Sequence, residues 1–173
     1  CAAKAALDSG KDFKVIGVEL SKEAVEDANA NALANGLCPP RYIASCSAAE
    51  AGIEGMLDAA SKEYESVRSV ESPNSGVVAV VDPPRTGLHP NVCRALRAQN
   101  AVTRVVFVSC NPKGLALRND YVVRKGTLAH NAKVLCAHKG KGRPFILTAA
   151  VPVDIFPHTP HTELVCVFER ENP

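Results

Sequence analysis

The chain has 173 residues, 46% of them apolar and 22% charged, with a net charge of +2. That size and composition suit one domain around one sizeable core. No run approaches the roughly eighteen apolar residues of a membrane span, and the first residues, with Lys4, Asp8, Lys11 and Asp12, lack the basic-then-apolar layout of a signal peptide, so a soluble protein is expected.

Lys14-Val-Ile-Gly-Val-Glu19 reads as a short apolar strand ending in an acid. A helix follows from Lys22 to Asn35, with Ser21 as N-cap, Glu23, Glu26 and Asp27 early in it and Gly36 as its stop. Arg41 to Ser45 is a second strand, Ala48 to Val67 a helical region interrupted by Gly52 and Gly55, and Glu71 to Gly76 a turn-rich loop. Val77-Val-Ala-Val-Val81 then runs into Asp82-Pro83-Pro84-Arg85, and an unbroken Val-rich run bounded by Gly and Pro has the pattern of a strand buried on both faces. Pro90 to Asn100 is the next helix, with Asn91, Arg94 and Arg97 toward solvent. Arg104 to Val108 is the next buried strand, leading into Ser109-Cys110-Asn111-Pro112. Lys113 to Lys125 reads as helical and Gly126 to Pro144 as a polar, Gly-rich, basic connection. Phe145 to Val151 and Leu164 to Phe168 are a final strand pair, close enough to pair antiparallel. Strands alternating with helices define an α/β, doubly wound fold with a parallel sheet covered on both sides.

Seven cysteines, an odd number with no Cys-x-x-Cys spacing, point to a reducing intracellular compartment. Charge is unevenly placed. Residues 1–75 hold seven Lys/Arg against twelve Asp/Glu, whereas residues 110–143 hold eight Lys/Arg against Asp120 alone, a segment suited either to solvent or to a polyanion.

In open α/β sheets ligands sit outside the carboxyl ends of the strands, which draws attention to Glu19, Asp82 and Cys110. A carboxylate after an apolar strand accepts hydrogen bonds from both hydroxyls of a ribose, as suits NAD or S-adenosylmethionine. Pro83 and Pro84 stiffen the exit from the Val-rich strand and present Asp82 with little freedom. Similar Asp/Asn-Pro-Pro turns occur in methyltransferases of exocyclic amines, where an aromatic residue usually follows; here Arg85 follows. A thiol at Cys110, where a buried strand gives way to a Pro-stiffened loop, is placed for activation by backbone amides and a following helix N-terminus. His158 and His161 lack a third ligand for zinc, so the Pro-rich segment Pro152 to Glu163 reads as a loop holding a general base, with no metal.

Taken together, Val-Ile-Gly-Val-Glu19, Asp82-Pro-Pro-Arg-Thr-Gly-Leu88, Val-Ser-Cys110-Asn-Pro112, Val-Asp154-Ile-Phe-Pro-His-Thr-Pro-His-Thr-Glu163 and Phe168-Glu-Arg170 resemble the C-terminal catalytic region of the uracil-5 RNA methyltransferase family, the tRNA and ribosomal-RNA (uracil-5-)-methyltransferases. The resemblance implies a Rossmann-like class I methyltransferase sheet, mostly parallel with an antiparallel last strand. It implies Cys110 as nucleophile, Glu163 as general base, and Glu19 and Asp82 as contacts to S-adenosylmethionine or the base, with Pro83, Pro84, Arg85, Asn111, Pro112 and His161 in support. RNA, tRNA above all, is the implied partner. The chain opens on Cys1-Ala-Ala-Lys-Ala-Ala-Leu7, which matches the helix after the family's Gly-rich cofactor turn. Residues 1–173 are therefore expected to be a single domain lacking its first strand, a fragment that binds cofactor weakly alone. Two alternatives stay open: an amino-group methyltransferase using Asp82-Pro-Pro-Arg85, and an inactive RNA-binding fragment.

Overall fold

The computed structural model describes residues 8, 13–67, 76–112, 127–159 and 161–170. The helix expected over Lys113–Lys125, the opening residues Cys1–Leu7, residues 71–75 and Pro160 lie outside them. In chain order the described elements are β1 (Val15–Glu19), α1 (Lys22–Ala34), β2 (Tyr42–Cys46), α2 (Ala49–Val67), β3 (Val77–Val81), α3 (Pro90–Ala98), β4 (Val102–Ser109), α4 (Leu128–Leu135), β5 (Phe145–Val153) and β6 (Glu163–Arg170). They fall into two compact units, Cys1–Met56 and Leu57–Pro173, with α2 running from one into the other.

In the first unit local signals set the boundaries. Ser21 Oγ accepts from the Ala24 N–H at 3.2 Å, capping α1. Gly36, at φ +75°, turns the chain left-handed so that the Leu37 N–H reaches the Ala32 carbonyl at 2.9 Å. β1 and β2 pair parallel from Val15–Tyr42 to Glu19–Cys46, as a strand–helix–strand crossover requires. Val25, Ala32, Leu37 and Ile53 are buried.

The second unit holds a four-stranded sheet in the order β3-β4-β6-β5. β3 and β4 are parallel, whereas β6 runs antiparallel to both β4 and β5. The last strand is antiparallel, as expected, and it lies between β4 and β5. The single continuous sheet expected from the sequence is not what the ladders form among the described residues: β1–β2 and β3-β4-β6-β5 are separate sheets.

One face of the four-stranded sheet is the core. Val105, Phe107, Cys166 and Phe168 are buried on it, and α3 lies on the same side, since Arg170, which alternates onto this face, reaches its last carbonyls. The opposite face corrects the expectation of a strand buried on both sides: Val78 and Val80 of β3 are 51% and 65% exposed. Successive strand residues point to opposite faces, and a Val-rich run does not by itself bring a helix to each.

Arg97 is a second correction. Expected toward solvent, it is buried, and its guanidinium donates to the carbonyls of Lys139 at 2.6 Å and Gly142 at 3.5 Å. Arg170 is buried beside it, stacked on Phe145 with 4.1 Å from Cζ to the ring centroid, and donates to the carbonyls of Leu96, Arg97, Gln99, Val102 and Arg143. This satisfies the C-terminal carbonyls of α3, where a cation also suits the helix dipole.

The six described cysteines are free thiols. Burial, opposed by hydrogen bonding from Asn131 and the charge of Arg94, pushes the Cys93 thiol up from 9.0 to about 12. The folded state therefore keeps a proton that the unfolded chain releases above about pH 9, and the contribution of Cys93 to stability, fully present below that pH, is lost as pH rises toward 12. Denaturant titrations between pH 8 and 11 are expected to show a declining alkaline limb that is flatter in Cys93→Ala, by up to about 1.4 kcal/mol per pH unit. Equal limbs in both proteins would count against the assignment.

Candidate active site

Strand register gathers three of the four principal candidates at one edge of the four-stranded sheet. Val81 of β3 lies opposite Phe107 of β4, so Asp82 follows at the level of Val108. Ser109, the last residue of β4, pairs with Leu164, so the register sets Cys110, which follows it, level with Glu163, which precedes Leu164 in β6. Neighbouring Cα atoms across such a ladder are about 5 Å apart. Glu163 is also paired with Val153, which brings Asp154 to the same edge. Contrary to the sequence reading, Glu163 is the first residue of β6 and not a loop residue.

The three side chains differ in environment. Asp82 is exposed and Cys110 half-buried. Glu163 is only 9% exposed as a residue, although its carboxylate oxygens keep access to solvent. None of the three has a hydrogen-bond or ionic partner among the described residues. A thiol and a carboxylate at the ends of adjacent strands, both uncommitted, can add to an electrophilic carbon and take a proton beside it.

The surrounding loops are held at both ends. In Asp82-Pro-Pro-Arg-Thr-Gly-Leu88, Pro83 is buried while Pro84 and Arg85 are exposed. The Gly87 N–H donates to the Pro84 carbonyl at 2.7 Å, closing a turn that Gly87 leaves with a φ of +83°. Leu88 is then clamped by Asn131 of α4, whose side chain accepts from the Leu88 N–H at 3.1 Å and donates to its carbonyl at 2.9 Å. The loop before Glu163 is tied by Thr159, whose N–H and hydroxyl both donate to the Phe156 carbonyl, and whose hydroxyl accepts from the His161 N–H at 3.3 Å. His158 takes a left-handed φ of +63° there. The His161 ring meets Phe156 edge-on at 6.3 Å, a bracing contact. Asn111 and Pro112, both half-buried, follow Cys110.

Glu19 stands in the first unit, exposed at the carboxyl end of β1. Its Oε1 accepts from the Ser21 N–H at 2.8 Å, which fixes the carboxylate and leaves its second oxygen open. Among the described residues no three His, Cys, Asp or Glu side chains gather as for a metal ion, and no helix is long and apolar enough to cross a membrane.

Asn131 and α4 escaped the sequence reading, which took 126–144 for a connection. The signals were present: Thr127 caps the helix by accepting from the His130 N–H at 3.3 Å, and Leu128 and Leu135, seven residues apart, are both buried. Asn131→Ala strips the buried Leu88 N–H and carbonyl of their partners. It is expected to cost about 1–3 kcal/mol in a denaturation measurement; an unchanged midpoint would argue against the clamp.

The chain is thus a mixed α/β protein that presents a thiol, a carboxylate and a Pro-stiffened acid at strand ends. The family model for tRNA (uracil-5-)-methyltransferases matches residues 6–135, and the chain belongs to that family. It is similar to tRNA (uracil-5-)-methyltransferase homolog B of Danio rerio, 40% identical over 162 residues covering 91% of this chain and 28% of the relative. To homolog B of Homo sapiens it is 41% identical (91% and 27%), and to homolog A of Mus musculus 38% (91% and 22%). The chain thus spans less than a third of the length of these relatives.

Proposed function

We propose that this chain carries the catalytic residues for methylating carbon 5 of uridine in RNA, tRNA above all, with S-adenosylmethionine as methyl donor. What supports the reading most is the register that sets an uncommitted Cys110 beside an uncommitted Glu163 in a member of this family. Residues 1–173 are read as one Rossmann-like methyltransferase domain, in a reducing intracellular compartment.

Carbon 5 of uracil is a weak nucleophile. The Cys110 thiolate adds to carbon 6, forming an S–C bond and sending the C5–C6 π electrons to the carbon-4 oxygen as an enolate. Carbon 5 of the enolate then takes the methyl group. S-Adenosylmethionine supplies that group in electrophilic form, its sulfonium keeping the electrons of the broken S–CH3 bond. Glu163 removes the remaining proton from carbon 5, and those electrons restore the C5–C6 double bond as the thiolate leaves.

Glu19 fits a ribose diol, because one oxygen is held by the main chain and the other is open to a hydroxyl. Asp82, presented rigidly beyond β3, is a further proposed contact to the donor or the base. Pro83 and Pro84 hold it there, and His161 braces the approach to Glu163 through Phe156.

The test incubates the full-length protein with S-adenosylmethionine and RNA carrying 5-fluorouridine. Fluorine does not leave as a proton, so the methylated adduct stays bound and migrates as a covalent complex on a denaturing gel. Absence of any complex alongside active methylation of ordinary RNA would overturn the mechanism.

A further inference from the structure

The basic segment 110–143 does not act as one surface. Cys110 follows the last residue of β4, whereas Arg170, beside the loop His138-Lys139-Gly140-Lys141-Gly142-Arg143, donates to the carbonyl of Val102, the first residue of that strand, at 2.8 Å. Eight strand residues separate the two ends by on the order of 20 Å.

This distant loop is built more elaborately than a solvated turn needs. Buried Arg97 holds the carbonyls of Lys139 and Gly142, and buried Arg170 holds that of Arg143. The glycines fall where the backbone closes on Arg97. A Cβ on Gly140 (φ +119°) would stand 2.9 Å from Arg97 Nη1, and one on Gly142 (φ +77°) 1.9 Å from the Arg97 carbonyl oxygen. Lys139 and Lys141, on the alternate positions, are exposed. Arg97 Nε is buried with no hydrogen-bond partner, residues 138–143 contain no acid, and the hydrogen bonds described for both guanidiniums go to carbonyls, which neutralise no charge. Positive charge is thus concentrated on a rigid support.

We infer that the loop His138–Arg143 is a second RNA contact, taking phosphodiester groups of the substrate at the sheet end opposite Cys110, on the order of 20 Å from the base being methylated. The inference rests on the RNA reading above. It makes the substrate's extent matter, because a short oligonucleotide seated at Cys110 does not reach this loop.

The test measures binding of the full-length protein, wild type and Lys139→Glu/Lys141→Glu, to a tRNA transcript and to a uridine-containing heptanucleotide across a salt series. The double variant is expected to bind tRNA about tenfold or more weakly at low salt, with a salt slope reduced by about 1.5–2. Heptanucleotide affinity should change less than twofold, and Lys139→Arg/Lys141→Arg should restore tRNA binding. Unchanged tRNA affinity and slope in the double variant would sink the loop contact and leave the RNA reading intact, whereas failure of the wild type to bind tRNA would sink both. Displacement of tRNA by a polyglutamate peptide at equal charge concentration, lost in the double variant, would mark an acidic protein as the partner and overturn the proposal.

Discussion

The Cys110→Ala protein is expected to lose methyl transfer by about 10⁴-fold or more and to form no covalent complex with 5-fluorouridine RNA. Without addition at carbon 6 there is no enolate, and carbon 5 has no means of attacking the methyl donor at a useful rate. Cys110 is half-buried at a strand end, so alanine removes little packing and the thermal midpoint should stay near that of the parent. Cys110→Ser should be as inactive, because a hydroxyl of nearly the same size is far less acidic than a thiol. This separates nucleophilicity from shape. An amino-group methyltransferase using Asp82-Pro-Pro-Arg85 has no need of the thiol, so substantial activity in either variant would favour that chemistry instead.

Glu163→Gln should fail at a different step. The amide has the volume of the carboxylate, so the largely buried position is still filled and adduct formation and methylation at carbon 5 proceed. What the amide does not do is take the carbon-5 proton, and removing a general base of this kind typically costs about 10²–10⁴-fold in turnover. The variant should therefore accumulate a covalent, methyl-labelled protein–RNA complex with ordinary uridine, a species the parent resolves. With donor methyl groups labelled, the gel band carries protein, RNA and methyl together. Turnover at the parental rate, or an unmethylated adduct as the only product, would remove Glu163 from the proton step. The two variants thus divide the mechanism at the carbon-6 adduct, one before it and one after.

Local chemistry was legible in the sequence wherever a boundary depends on neighbouring residues. Ser21 and Gly36 delimit α1 to within a residue because capping and a left-handed exit are decided within one turn. Val77–Val81 emerged with the bounds read from its glycine and proline flanks. The same locality placed Asp82 and Cys110 at strand ends. Arg97 was misread because helical spacing gave it the solvent side, while its partners, Lys139 and Gly142, are 42 and 45 residues away. Asn131 lies 43 residues from the Leu88 it clamps, and an asparagine in mid-helix carries no sign of such a partner.

The sequence by itself determined most of the strands and helices, the identity of the thiol and the acids, and the position of Glu19, Asp82 and Cys110 at strand ends, since each follows from side-chain type and short-range backbone preference. Tertiary structure alone decided that β6 enters between β4 and β5. Strand order is a choice among long-range pairings that period-2 alternation leaves equally satisfied. That one choice sets Glu163 beside Cys110, and it also carries Arg170, at the other end of β6, to the far pole, where it holds the basic loop away from them.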